Sequence, residues 1–281
     1  MTKEQTMSVL TEHFTLSNGV TIPKLGFGTW QTPDEVAPAA VEMALAAGYT
    51  HIDTASAYRN EPGVGKGLRA AGLEREQVFI TTKVRAEYKS YDEAVASIAA
   101  SLKDLDTSYF DLILIHAPKP WPEMGVDNGK RYFAENIAVW QALQEAYERG
   151  QAKAIGVSNF AIDDLTNITD HCDVVPMANQ IRFHIGYTQD AVTAYCQAHG
   201  ILVEAYSPIG TGRLLTNPGI QALASAYGVS VAQMCIRYAL QKGTLPLPKS
   251  THQAYIVQNT QVDFEIADAD MAALDSIDTE R

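Results

Sequence analysis

Eight short apolar runs recur along this chain, and most are separated by segments of helical character. The runs are LGFGT, HIDT, VFITTK, DLILIH, AKAIGVS, MANQIRF, ILVEAYS and LPLP. Amphipathic stretches such as 36–47, 94–105 and 137–147 lie between them. In the second, Ala94, Val95, Ile98, Leu102 and Leu105 recur at helical spacing. Strand–helix alternation repeated eight times within 281 residues predicts an α/β protein, a (β/α)8 TIM barrel. An open doubly wound sheet is disfavoured, because GFGTW after the first run lacks the third glycine of G-x-G-x-x-G. Ahead of the first run, FTLSNGVTIP reads as an N-terminal β-hairpin with a two-residue turn at Asn18-Gly19. The eighth run carries two prolines, which are poor strand residues. It is kept as a strand because a barrel needs closing. Two long connections, 117–135 and 208–217, interrupt the alternation, and loops of this length more often serve function than accident. A short helix is expected over 268–277.

A hydrophobic content of 46% supports a large core, and no Pro/Gly/Ser-rich linker or charge block divides the chain. A single domain over residues 1–281 follows. The formal charge of −12 argues against a nucleic-acid partner, although a few placed cations and helix N-termini can still make a local phosphate site. Cys172, Cys196 and Cys235 are odd in number and show no CxxC spacing, as expected of free thiols in a reducing compartment. MTKEQTMSVLTEHF lacks the apolar run of a signal peptide, and no segment approaches membrane-spanning length. A soluble cytoplasmic protein is expected, with no membrane partner.

Chemistry gathers at the ends of the runs. Asp53 and Tyr58 lie in HIDTASAYRNE, Lys83 ends FITTK, and His116 ends DLILIH. Each has a bland reading alone: a helix N-cap, a packed tyrosine, a solvated lysine, a structural histidine. In a barrel, however, every strand ends on one face, the face where active sites lie. An ammonium about 4 Å from a phenol interacts by roughly 4 kcal/mol at an effective dielectric of ~20, which lowers the phenol pKa. A Tyr58–Lys83–Asp53 chain is therefore expected to bring Tyr58 toward the range of a general acid for a carbonyl oxygen, with a neutral His116 orienting that oxygen.

With LGFGTW, IDTASAYRNE, ITTK, LILIH, IGVSNF, Asn179-Gln180, YSPIG and PKS in this order, the sequence resembles the aldo-keto reductases. The likeness is nearest to short bacterial members of the 2,5-diketogluconate reductase and prostaglandin F synthase type. It runs from the hairpin to Asn259. It implies a monomeric enzyme without a metal that passes hydride from NADPH to an aldehyde or ketone. Asp53, Tyr58, Lys83 and His116 would be its catalytic tetrad. It also implies that Ser158, Asn159 and Gln180 hold the nicotinamide carboxamide, that Tyr206 stacks under the ring, and that Gly28 and Thr29 meet the ribose. Ser207, Ile209 and Gly210 would contact the pyrophosphate, while Lys249 and Ser250 would contact the 2′-phosphate. On residues alone, Ser158-Asn159 reads equally as a helix N-cap.

Departures from the family pattern shape further expectations. Tyr255 stands where an arginine grips the 2′-phosphate and Gln258 where an acid contacts adenine, while Asn259 is retained; some use of NADH follows. Ala117 replaces a tryptophan after the histidine, Val84-Arg85 replaces Leu-Trp after the lysine, and Arg182-Phe183-His184-Ile185 replaces Glu-x-His-Pro. The chain stops at Arg281, about where relatives begin a covering loop. These features predict a wide substrate site bounded by Trp30, Tyr58, His116, Ala117 and Trp121, accepting broad or bulky carbonyls. Two other classes compete. A cofactor-sensing barrel would need an added interaction segment. A non-redox lyase would leave Ser158, Asn159, Gln180 and Tyr206 without a joint role.

Overall fold

Phe14 and Ile22 face each other across two antiparallel strands, β1 (His13–Thr15) and β2 (Thr21–Pro23), near the start of the computed structural model, which describes residues 8–279. Their connection differs from the two-residue turn expected. Leu16 N donates to Val20 O, and Gly19 N donates to Leu16 O, so residues 17–19 make a three-residue loop. Gly19 sits at φ +88°, the left-handed position that such loops need and that glycine takes at little cost.

Eight parallel strands then follow in chain order around one sheet. They are β3 (Phe27–Gly28), β4 (His51–Asp53), β5 (Phe79–Val84), β6 (Leu112–Ile115), β7 (Ile155–Ser158), β8 (Ala178–Arg182), β9 (Leu202–Tyr206) and β10 (Leu245–Leu247). β4 to β7 are buried at every position, as apolar runs sandwiched between barrel interior and helices should be. The seam between β10 and β3 is bridged by Gly26 N to Pro246 O at 3.1 Å and Gly28 N to Pro248 O at 3.0 Å. A strand residue turns its amide and carbonyl to the same side, so the prolines place their missing donors on this seam, against a strand only two residues long. The pairing of Leu245–Leu247 with β9 is left intact. A Cβ on Gly26 would fall 2.5 Å from Leu247 Cδ2 and 2.6 Å from His51 Nδ1, so only glycine lets β3 approach this closely.

The helices are α1 (Ala37–Ala46), α2 (Glu61–Ala70), α3 (Tyr91–Leu105), α4 (Phe133–Glu148), α5 (Ile162–His171), α6 (Asp190–Ala198), α7 (Pro218–Ala226), α8 (Val231–Gln241), α9 (Gln253–Gln258) and α10 (Asp268–Asp275). Of the four stretches read as helical, 36–47 holds α1, α3 and α4 begin three and four residues before 94–105 and 137–147, and α10 ends two residues short of 277. Ser90 caps α3 by accepting from Glu93 N, and Asp92 and Glu93 add negative charge in its first turn. Among the described residues no single helix is long and apolar enough to cross a membrane.

Candidate active site

Asp53 ends β4 and Lys83 lies next to last on β5, the neighbouring strand. Both side chains are buried. Lys83 Nζ donates to Asp53 Oδ1 at 2.6 Å and to Thr54 O at 2.8 Å. Tyr58 follows in a short 3-10 turn, Ser56–Tyr58, that is tied down from both sides. Ser56 Oγ donates to Lys83 O, and Arg85 donates to Ser56 O. Buried Asn60 then accepts from Thr54 Oγ1 and donates to Thr29 O and Thr32 O. Arg59, between Tyr58 and Asn60, is left-handed at φ +58°. The motif AYRN is thus a rigid corner that carries a phenol.

Lys83 Nζ lies 5.2 Å from the Tyr58 ring centroid, and the Tyr58 and His116 rings meet edge to face at 5.5 Å. The phenol is not drawn down as expected. Burial first, then the Asp53 carboxylate, with Tyr206 and Glu204 adding, push it well above its ordinary value. Lys83 spends its charge on Asp53, so desolvation wins. Burial, with Lys83 and Arg85 nearby, holds His116 well below the ordinary histidine value. Its imidazole is neutral at pH 7, and Nδ1 takes no hydrogen bond.

Across the barrel, Ser158 Oγ donates to Gln180 O, and Asn159 N donates to the same carbonyl. Asn159 is left-handed at φ +61° and donates through Nδ2 to His116 O, while Tyr206 OH donates to Asn159 Oδ1. Neither Ser158 nor Asn159 caps α5, whose N-cap is Ala161. Gln180 Nε2 donates to Asp53 Oδ1 at 2.8 Å and to Glu204 Oε2 at 3.1 Å. These groups surround one cavity of about 910 Å³. Gly28, Trp30, Tyr58, His116, Trp121 and Tyr206 line it, with Arg182, Arg213 and Lys249 as its cations.

A profile of the family described as "Aldo/keto reductase family" matches residues 24–279. The chain belongs to this family. Glyoxal reductase of Bacillus subtilis is 38% identical over 264 residues, covering 93% of this chain and 91% of its own. The 9,11-endoperoxide prostaglandin H2 reductase of Trypanosoma cruzi is 38% identical over 272 residues, covering 95% and 92%. Among solved structures, a Bombyx mori aldo-keto reductase in complex with NADP superposes with a TM-score of 0.84 at 36% identity, covering 94% of this chain and 92% of that one. The chain is therefore an oxidoreductase, and its eight-stranded barrel with an N-terminal hairpin is the fold of this family.

Within this aldo-keto reductase, the cavity takes in some of the residues the sequence pointed to and not others. Ala117 does not line the cavity. It is wholly buried behind the wall, and its carbonyl accepts from Lys89 Nζ. Both residues lie just past the end of β6, and the chain there turns the His116 ring into the cavity and Ala117 away from it. The space beside His116 is filled instead by Trp121, whose ring meets the imidazole edge to face at 5.1 Å. Thr29 is buried and donates to Asp53 O. Ser207, Ile209 and Lys249 line the cavity, whereas Gly210, Ser250, Tyr255, Gln258 and Asn259 do not. Tyr255 is 59% exposed on α9, and Ser250 Oγ accepts from His252 N just before that helix. Arg182, Arg213 and Glu204 are additions at the site. Strand alternation offered a signal for two of them, since Arg182 is two residues beyond Gln180 and Glu204 two before Tyr206, each on the same inward face.

Proposed function

We propose that this chain reduces aldehydes and ketones with NADPH and that Tyr58 delivers the proton to the carbonyl oxygen. The observation that carries this reading is the meeting, in one cavity, of a phenol held in its protonated form and a neutral imidazole on one wall, with Ser158, Asn159, Gln180 and Tyr206 on the other. The second wall suits a nicotinamide. Gln180 offers the cavity an amide oxygen, Tyr206 an aromatic face, and Gly28 a bare backbone at which a Cβ would crowd Leu247 O at 3.3 Å. Arg213 and Lys249 follow β9 and β10, where barrels of this kind bind phosphate. Bound there, NADPH supplies the hydride.

This chain's own residues handle the proton and the pose. Tyr58 keeps its proton at neutral pH until charge develops on an oxygen within reach, which is the behaviour required of an acid that acts only in the transition state. Lys83 and Asp53 hold one another, and Lys83 also grips Thr54 O, fixing the start of the turn that carries Tyr58. His116 can give or take a hydrogen bond without bringing charge. Trp30 and Trp121, both substantially exposed, supply aromatic walls, and the cavity volume lies at the upper end of ordinary ligand sites. Relatives of equal similarity are named for glyoxal and for prostaglandin H2, so identity does not choose a substrate size. The open aromatic cavity supports bulky as well as small carbonyls.

The test is NADPH consumption with a panel of aldehydes and ketones, run beside Tyr58→Phe. Turnover in the variant should fall by at least ~100-fold, about 2.7 kcal/mol of barrier, while NADPH affinity stays within about twofold. Retention of more than about a tenth of the turnover would refute the acid assignment.

A further inference from the structure

Glu204 is a fully buried carboxyl in the barrel interior that the proton and hydride chemistry does not use. It lies on β9 in register with Gln180 on β8 and Leu245 on β10. Its Oε2 accepts from Gln180 Nε2 at 3.1 Å, and its Oε1 takes no hydrogen bond. The same nitrogen donates to Asp53 Oδ1 at 2.8 Å. Asp53, already paired with Lys83, can only accept, so the nitrogen end of the Gln180 amide must face it. An NH2 group has two hydrogens, and Asp53 and Glu204 take one each. Gln180 Oε1 is thereby turned away from both carboxyls and left to the cavity.

We propose that Glu204 is a positioning residue that fixes the Gln180 amide with its oxygen toward the cavity, presetting the acceptor for the coenzyme carboxamide. This rests on the NADPH reading above. It assigns to a buried acid a role in coenzyme binding without any contact with the coenzyme.

The charges around Glu204 make the role sensitive to pH. β4 brings Asp53, β5 brings Lys83, the 3-10 turn brings Tyr58, and β8 brings the Gln180 amide, while β10 brings only Leu245, Pro246 and Leu247. Burial first, then Asp53, push the Glu204 carboxyl up to about 8, with Gln180 and Lys83 opposing. At pH 7 it is neutral and sits beside the Asp53 carboxylate without repulsion. Once ionised, it sets two like charges on one amide nitrogen, and their repulsion, which outweighs the stronger hydrogen bond that Gln180 gives an anion, loosens the clamp on Gln180.

NADPH binding, followed by intrinsic fluorescence from pH 6.5 to 9.5, tests this in wild type, Glu204→Gln and Glu204→Leu. Glutamine can still accept from Gln180 but cannot ionise, so Glu204→Gln should match wild type within about twofold at pH 6.5. As pH rises, wild type should lose roughly tenfold more affinity than Glu204→Gln. Glu204→Leu should be weaker by roughly tenfold at pH 6.5. If Glu204→Leu does not fold, the comparison of wild type with Glu204→Gln decides alone. Parallel pH profiles for those two, or wild-type affinity in a folded Glu204→Leu, overturn the inference while leaving the coenzyme reading intact. Failure of wild type to bind NADPH at any pH overturns both.

Discussion

At His116, burial and the nearby cations Lys83 and Arg85 leave the imidazole neutral far below the usual histidine range. A depressed folded pKa means that the ring stays uncharged as pH falls through 6.5. Its NMR ring resonance, assigned by loss in His116→Gln, should therefore not move between pH 7.5 and 5.5; a midpoint near 6.5 would contradict the neutral ring. The neighbouring Trp121 carries a separate expectation, because its ring occupies the space beside that imidazole. Trp121→Ala should raise the ratio of kcat/KM for bulky over small carbonyls by roughly tenfold, within the ~1–3 kcal/mol that apolar pocket contacts command. An unchanged ratio would place the substrate elsewhere. Asp53, Tyr58, Lys83 and His116 were legible in the sequence because each ends, or closely follows, an apolar run, and a run's end fixes the rim. Ala117 was misread because a residue next to His116 in sequence need not share its face of the wall, and here it is buried away from the cavity. Trp121 was named from the sequence as a wall of the site, and it lines the cavity, although no periodicity encodes the path of the loop that carries it. How far half-buried Tyr58 loses its hydration also lay beyond the sequence, and that loss, with the Asp53 charge, reversed the expected direction of the phenol shift.

The connection that carries Trp121 is held by a latch that apolar patterning does not reveal. Lys89, before α3, reaches Ala117 O at 3.0 Å and Asn136 Oδ1 at 2.9 Å, and Asn136 Nδ2 donates to Pro118 O. The lysine is half-buried, and its lost hydration pulls it down to about 8. Lys89→Met keeps the apolar stem and removes both hydrogen bonds, a local loss of roughly 1–3 kcal/mol. Limited proteolysis between residues 117 and 132 should speed up several-fold, while the barrel's melting temperature falls only a few degrees, because loops open below the global transition. Cleavage at the wild-type rate would show that the latch does not restrain this segment. Other elements were readable to differing degrees. α3 and α4 contain the stretches that show their spacing and begin a turn earlier. β10 reads poorly because propensity scores Pro246 as though every strand position needed a donor, whereas its missing donor falls on the short seam with β3.

At the scale of the whole barrel, burying an acid in the interior sets how stability varies with pH. An unfolded glutamate ionises near ~4.3, whereas folded Glu204 keeps its proton up to about 8. Between those values the folded chain binds one more proton than the unfolded chain. Stability from this group is thus fully present below pH ~4.3 and is lost as pH rises toward 8, at up to ~1.4 kcal/mol per pH unit. The eightfold strand–helix alternation made the barrel legible from sequence. This cost was not legible, because it depends on Asp53 and Glu204 converging onto Gln180 from strands three apart around the barrel. Glu204→Gln removes the titration while keeping an acceptor for Gln180. The melting temperature of the variant relative to wild type should therefore climb with pH, by roughly 2–3 °C per unit from pH 5 to 7.5, taking about 2 °C per kcal/mol for a chain of this size. Calorimetry at matched ionic strength reads the difference directly, and subtracting the two proteins cancels the titrating groups that lie out of reach of Glu204. A difference that stays flat across this range would mean that Glu204 ionises at its ordinary value, and that the barrel interior holds a charge there.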